Sequence, residues 1–156
     1  MADDDRIAGM IALFLALQAA AVAAPPATSP AMSPLPDALE RQSLPERGCA
    51  AYLWSVADRK LVAVAGADPA RLRLALAGKP ADLARVAQVG TGEFGLGGTG
   101  DYRLGDITAR LEMTVTTRPD LTDGGGVPQG VLTIARGGAD QVIVPVAGLV
   151  GCAPAR

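Results

Sequence analysis

From residue 48 onward the chain alternates apolar and polar positions in short runs. Ile107-Thr-Ala-Arg-Leu-Glu-Met-Thr-Val-Thr is the clearest: Ile107, Ala109, Leu111, Met113 and Val115 share one face, and Thr108, Arg110, Glu112, Thr114 and Thr116 the other. A period of two with β-branched residues predicts a half-buried strand. Arg71 to Leu76 repeats the pattern with Leu72, Leu74 and Leu76 inward. Val131–Arg136 and Gln141–Val146 flank Gly137-Gly138-Ala139-Asp140, a run of turn formers that predicts a hairpin. Cys49–Val56 and Leu61–Ala65 also read as strands, joined through Asp58-Arg59-Lys60. Residues 80–89 fit either a short helix or a strand, because Leu83, Val86 and Val89 are three apart while alternation is poor. Arg118 to Pro128, with Pro119 and three consecutive glycines, predicts a long loop. Pro145 cannot donate to a ladder, so its strand lies at an edge or carries a bulge. The expected fold is all-β with at most one short helix: six to eight strands in a small antiparallel barrel or sandwich.

The residues before this domain differ in kind. Residues 7–24 form an apolar Ala/Leu run that ends in Ala21-Val22-Ala23, the small-x-small pattern of a signal peptidase site. Residues 1–23 are therefore expected to be a signal peptide. The acidic start Asp3-Asp4-Asp5 departs from the positive leader norm and leaves two alternatives: initiation at Met10, or retention of residues 7–24 as a membrane anchor. Residues 24–47 hold six prolines and predict a disordered tether; residues 48–153 are the domain. An exported chain reaches an oxidising compartment, so Cys49 and Cys152, the only cysteines, are expected to pair and tie the domain's ends together. The expected location is periplasmic or secreted, with membrane attachment only if the leader is retained.

Charge and composition remove several function classes. The net charge of −2 resides in Asp3, Asp4, Asp5 and Arg6; from Ala24 onward acidic and basic residues number thirteen each. A neutral chain lacks the basic footprint of a nucleic-acid binder and the polybasic patch that anionic lipid attracts. There is no histidine, which removes the usual general base and the commonest transition-metal ligand. Ser55 is the only serine of the domain and lies in an expected strand. Glu93, Asp101 and Asp106 are candidate paired carboxylates, and Asp120 with Asp123 a candidate calcium pair, but turn formation alone explains such aspartates. No metal and no cofactor is expected. Gly90-Thr-Gly92-Glu-Phe-Gly95 spells a dinucleotide fingerprint, as do Gly95, Gly97 and Gly100, yet a strand rather than a helix follows. What remains is a segment with seven glycines from Gly90 to Gly105, interleaved with Phe94 and Tyr102, expected to be a mobile surface loop.

Gly98-Thr99-Gly100-Asp101-Tyr102, within a broader pattern from Leu74 to Leu111, resembles the serine- and glycine-rich loop, ending in tyrosine, of bacterial periplasmic inhibitors of C-type lysozyme. Thr99 stands where that family has serine, and Asp101 where a basic or small residue is usual. The resemblance implies a small disulfide-bonded β-barrel whose loop, Gly98 to Arg103 here, enters a lysozyme cleft. The domain also resembles small secreted proteins of Gram-negative bacteria. Two functions follow as expectations: a non-enzymatic binding module of the cell envelope, or an inhibitor of a lysozyme or related wall hydrolase through residues 90–105. The expected partners are an envelope protein or such a hydrolase, with no nucleic acid. A carboxylate-based hydrolase is the third.

Overall fold

A computed structural model describes residues 35–154 of the protein. The expected leader and the start of the tether lie outside the described residues. Eight antiparallel strands follow one another around a closed barrel: β1 Cys49–Ser55, β2 Leu61–Gly66, β3 Arg71–Leu76, β4 Lys79–Val89, β5 Thr99–Leu104, β6 Ile107–Thr117, β7 Gly124–Arg136 and β8 Val142–Cys152. Each strand pairs with its sequence neighbour, and β1 pairs with β8 to close the ring. Closure removes the exposed edges that an open sheet would leave. The alternative of a sandwich is thereby excluded.

Alternation decides what fills the barrel. Leu53, Leu72, Leu74, Leu83, Leu111, Leu132, Ile134 and Val146 point inward and are sealed from solvent. They interdigitate as a packed core, so the barrel encloses no ligand chamber among the described residues. The β6 face expected from sequence is the one observed, with Ile107, Ala109, Leu111 and Met113 buried.

The two ends of the barrel are built differently. One end carries short turns; in the β3–β4 turn Ala77 and Gly78 both have positive φ, 51° and 72°. That pair of left-handed residues gives a two-residue hairpin the twist its strands need. The other end carries the Cys49–Cys152 disulfide, the turn at 67–70 and the longer connections 90–98 and 118–123. The glycine-rich connection folds back over this end. Glu93–Gly95 forms a 3-10 turn, Leu96 enters the core, and Phe94 packs against it.

Four expectations need correction or resolution. Residues 80–89 are strand, as β4, with Ala81 and Leu83 opposite Leu74 and Leu72. A bulge between Arg85 and Ala87 breaks the alternation, which is why the sequence pattern was ambiguous. The expected loop 118–128 shrinks to 118–123, because Gly124–Val127 run on in β7, paired with Gly151–Gly148. Three glycines do not end the ladder here: a side chain at Gly125 would sit 2.8 Å from the Phe94 ring, so the bare strand makes room for it. Pro128 lies in a bulge between Val127 and Gly130. Pro145 sits in a closed barrel without an edge: its carbonyl accepts the Val56 N–H at 3.0 Å, so its nitrogen faces the same side, just past the end of β1 where no ladder bond is lost.

The fourth concerns the tether. Residues 35–47 are not free but laid along the outside of β1–β3. The Asp37 N–H donates to Ala75 O at 2.7 Å, and the Asp37 carboxylate accepts the Gly78 N–H at 2.7 Å. The Leu39 N–H donates to Leu61 O at 2.7 Å, and the Tyr52 hydroxyl donates to Ser43 O at 2.6 Å. Within this strap, Pro36 and Leu39 are buried. Proline favours extended backbone, and an extended segment can still dock when a few apolar residues find a face.

Candidate functional site

The residues singled out in the glycine-rich segment divide between connection and wall. Gly98 is exposed, and its carbonyl accepts the Met113 N–H at 2.9 Å. Thr99 to Arg103 are not loop but strand, hydrogen-bonded to β4 on one side and β6 on the other. Gly100 and Tyr102 face inward, and a side chain at Gly100 would lie 2.8 Å from the Tyr102 oxygen. Tyr102 is only 4% exposed, and its burial raises the phenol pKa against the opposing influence of Arg85. Arg85 also leans into the wall, with a buried Nη1 lacking a partner among the described residues. Asp101 points outward to Arg110 at 3.4 Å, and Arg103 is exposed.

The candidate carboxylates do not converge. Asp101 sits on the barrel wall, Asp106 in the turn after β5 at 3.6 Å from Arg136, and Glu93 in the 3-10 turn over the disulfide end. Asp120 is bound by Arg118 at 2.8 Å, which holds its carboxyl below the usual range. Asp123 offers its main-chain carbonyl to the Cys152 N–H at 3.2 Å. Among the described residues no group of three potential ligands is arranged to hold a metal. Ser55 faces into the barrel and is 7% exposed.

A different surface gathers functional side chains. Strands β1, β2 and β8 contain no charged residue at all. Their outward positions align across the ladder, Tyr52 beside Leu149 and Val64, Trp54 beside Ala147 and Leu61. The strap runs along this face and leaves a groove on either side. The polar groove, about 590 Å³, lies toward β3 and contains Arg47, Arg71 and Arg73. Three of its four arginines are paired: Asp82 binds Arg73 at 2.7 Å and Arg71 at 3.4 Å, while Arg47 meets Asp68 at 3.7 Å; the fourth, Arg41, lines the second groove as well.

The second groove, about 500 Å³, is apolar. Tyr52, Trp54 and Leu149 form its floor, Leu39 and Leu44 its strap wall, and Leu61 its end. Leu44 and Leu149 are 58% and 54% exposed, a high value for leucines side by side on one face. Arg41 stands at the rim, and no acidic residue lines the groove. The Tyr52 hydroxyl is committed to Ser43, which fixes the wall, and burial raises its pKa. Sequence reasoning passed over this site. A signal existed: β1 is apolar on both faces, with Tyr52 and Trp54 at i and i+2 opposite the inward Ala51 and Leu53. A strand whose outer face is also apolar must be covered by something.

No helix among the described residues is long and apolar enough to cross a membrane. No protein-family model matches the chain, and no curated protein or solved structure matches it either.

Proposed function

We propose that the protein is an exported, non-enzymatic binding module of the cell envelope that takes its ligand in the apolar groove between the strap and the outer face of β1 and β8. The observation that carries this reading is the uncharged face of Tyr52, Trp54 and Leu149, left open beside an ordered wall. Concave, mostly apolar surfaces with a few placed polar groups are where small ligands bind. Export is supported by the leader pattern and by the disulfide, which persists in oxidising compartments. The absence of histidine and the scattered, arginine-paired carboxylates favour binding over catalysis.

The test is site-specific photo-crosslinking in cells that export the protein, with the reactive group placed at position 149 or, as a comparison, at position 103. Adducts at 149 that disappear when Trp54 is replaced by Asp support the groove. Adducts at 103 alone would overturn it and move binding to the glycine-rich segment. That outcome would favour a wall-hydrolase inhibitor, measurable as loss of lysozyme activity with the oxidised protein.

A further inference from the structure

We infer that the groove takes a single-chain amphiphile with an anionic head, of the fatty-acid type, the chain lying on Tyr52, Trp54 and Leu149 and the head meeting Arg41. This inference rests on the reading that the groove is the binding site. It follows from an inventory of the polar groups there. Tyr52 donates its hydroxyl proton to Ser43 O at 2.6 Å. Gln42 is engaged at both ends of its amide, accepting from Arg73 at 3.2 Å and donating to Glu40 O at 2.9 Å. Arg41 has no hydrogen bond or ion pair among the described residues, and neither does the Trp54 indole N–H. Both unused groups are donors, neither of them an acceptor. Arg41 is the single charge of the lining, with no carboxylate to neutralise it. A ligand complementary to this surface is apolar along most of its length and carries an acceptor-only, negatively charged end, which describes a carboxylate on an alkyl chain.

Size and shape narrow the choice further. The groove holds about 500 Å³, within the range of small-molecule sites. A folded protein partner needs a far broader contact area than one groove. A bilayer surface would call for clustered free cations, and only Arg41 lines this groove, the neighbouring Arg47, Arg71 and Arg73 being paired with carboxylates.

Trp54 is the only tryptophan of the chain, so its fluorescence reports on the groove alone. The experiment titrates the oxidised protein with decanoate below its micellar concentration and follows Trp54 emission. Octanoate, decanol and decyltrimethylammonium serve as comparisons. A fully buried methylene strengthens binding about fourfold, so decanoate should exceed octanoate by roughly fivefold or more in a partly open groove. Decanoate should shift the emission saturably and bind at least about tenfold more tightly than decanol or the cationic chain. Arg41→Gln should bring decanoate down to the level of decanol, and Leu149→Asp should abolish all binding, with melting temperatures of both variants checked against the parent. Equal binding of decanoate and decanol, or an unaffected Arg41→Gln, overturns the anionic head. If no chain binds, the amphiphile is wrong, whereas crosslinking at position 149 judges the groove itself separately. Binding only to phosphatidylglycerol vesicles would replace this ligand with a bilayer and also overturn the inference.

Discussion

Reduction of the Cys49–Cys152 bridge is the most quantitative perturbation the fold allows. The two cysteines are 103 residues apart in sequence and stand opposite each other in the β1–β8 pairing that closes the barrel. In the folded state the bridge adds little that the ladder lacks, because Cys49 to Ser55 already pair with Cys152 to Val146. Its main effect falls on the unfolded chain, which it holds in one large loop. Chain-entropy reasoning gives about 4.7 kcal/mol for a loop of this length. At about 4 °C per kcal/mol for a domain of this size, the melting temperature should fall by about 15–20 °C. The assay is thermal and urea unfolding followed by circular dichroism, for the oxidised protein, the reduced protein and the double variant Cys49→Ala/Cys152→Ala. The double variant should melt with the reduced protein and should not respond to reductant. Because the effect sits in the unfolded state, the urea m-value should rise on reduction as that state expands. A fall in stability below about 1 kcal/mol with an unchanged m-value would refute the reasoning, showing that the ladder alone closes the barrel.

Four other measurements probe the remaining links. Leu132→Ala removes a side chain with no solvent exposure and should cost about 2–5 kcal/mol in urea unfolding. Gly125→Ala would place a methyl 2.6 Å from the Thr116 carbonyl and 2.8 Å from Phe94; the expected loss is about 1–3 kcal/mol, and a neutral result would mean that Phe94 does not seal that end. The Arg73 hydrogen bond holds the Asp82 carboxyl below the usual range, helped by the charges of Arg73 and Arg71, so its stabilisation is present at neutral pH and lost as pH falls below about 4. Asp82→Asn should therefore cost about 0.5–1 kcal/mol at pH 7, and the stabilities of variant and parent should converge once the pH has fallen below the lowered value of the folded state. Tyr52→Phe deletes the bond to Ser43 O and should speed tryptic cleavage at Arg41 and Arg47 by about fivefold, from about 1 kcal/mol of lost anchoring, while the barrel core stays resistant.

What the sequence made legible was whatever alternation encodes directly. The inward face of β6, the leucines of β3 and the β7–β8 hairpin all follow from period two, and the disulfide from two cysteines flanking the first and last strands. Closure was not encoded this way, because barrel and sandwich share the same local pattern. The difference lies in whether β1 finds β8, a non-local pairing. Bulges hid the rest. One at Arg85/Ala87 shifted the phase of β4 and mimicked a helix, and one at Pro128, after three glycines, made the first part of β7 look like the end of a loop. Glycine also misled at both ends of the chemistry. The sequence treated Gly98 to Tyr102 as mobile, yet Gly100 is a small residue that leaves room for the buried Tyr102 ring.

The binding groove was illegible for a more general reason. It is made by a segment and a face that each read as uninformative when considered alone. Residues 35–47 carry prolines and charges, the composition of a tether, and their few apolar residues do not stand out as anchors. Strand β1 has apolar residues on both sides, so its outer Tyr52 and Trp54 merged with the core signal of Ala51 and Leu53. Only their juxtaposition has meaning: Leu39, Leu44 and Arg41 against Tyr52, Trp54 and Leu149. Among the described residues the strap covers part of the apolar face, and the rest lies open beside one unpaired cation. If the strap served only to shield apolar surface, selection for solubility would favour placing a charge on the outer face of β8, and none is present. A partial cover makes physical sense when the wall is wanted as well as the shield, because a flat strand face turns into a groove only when something stands beside it.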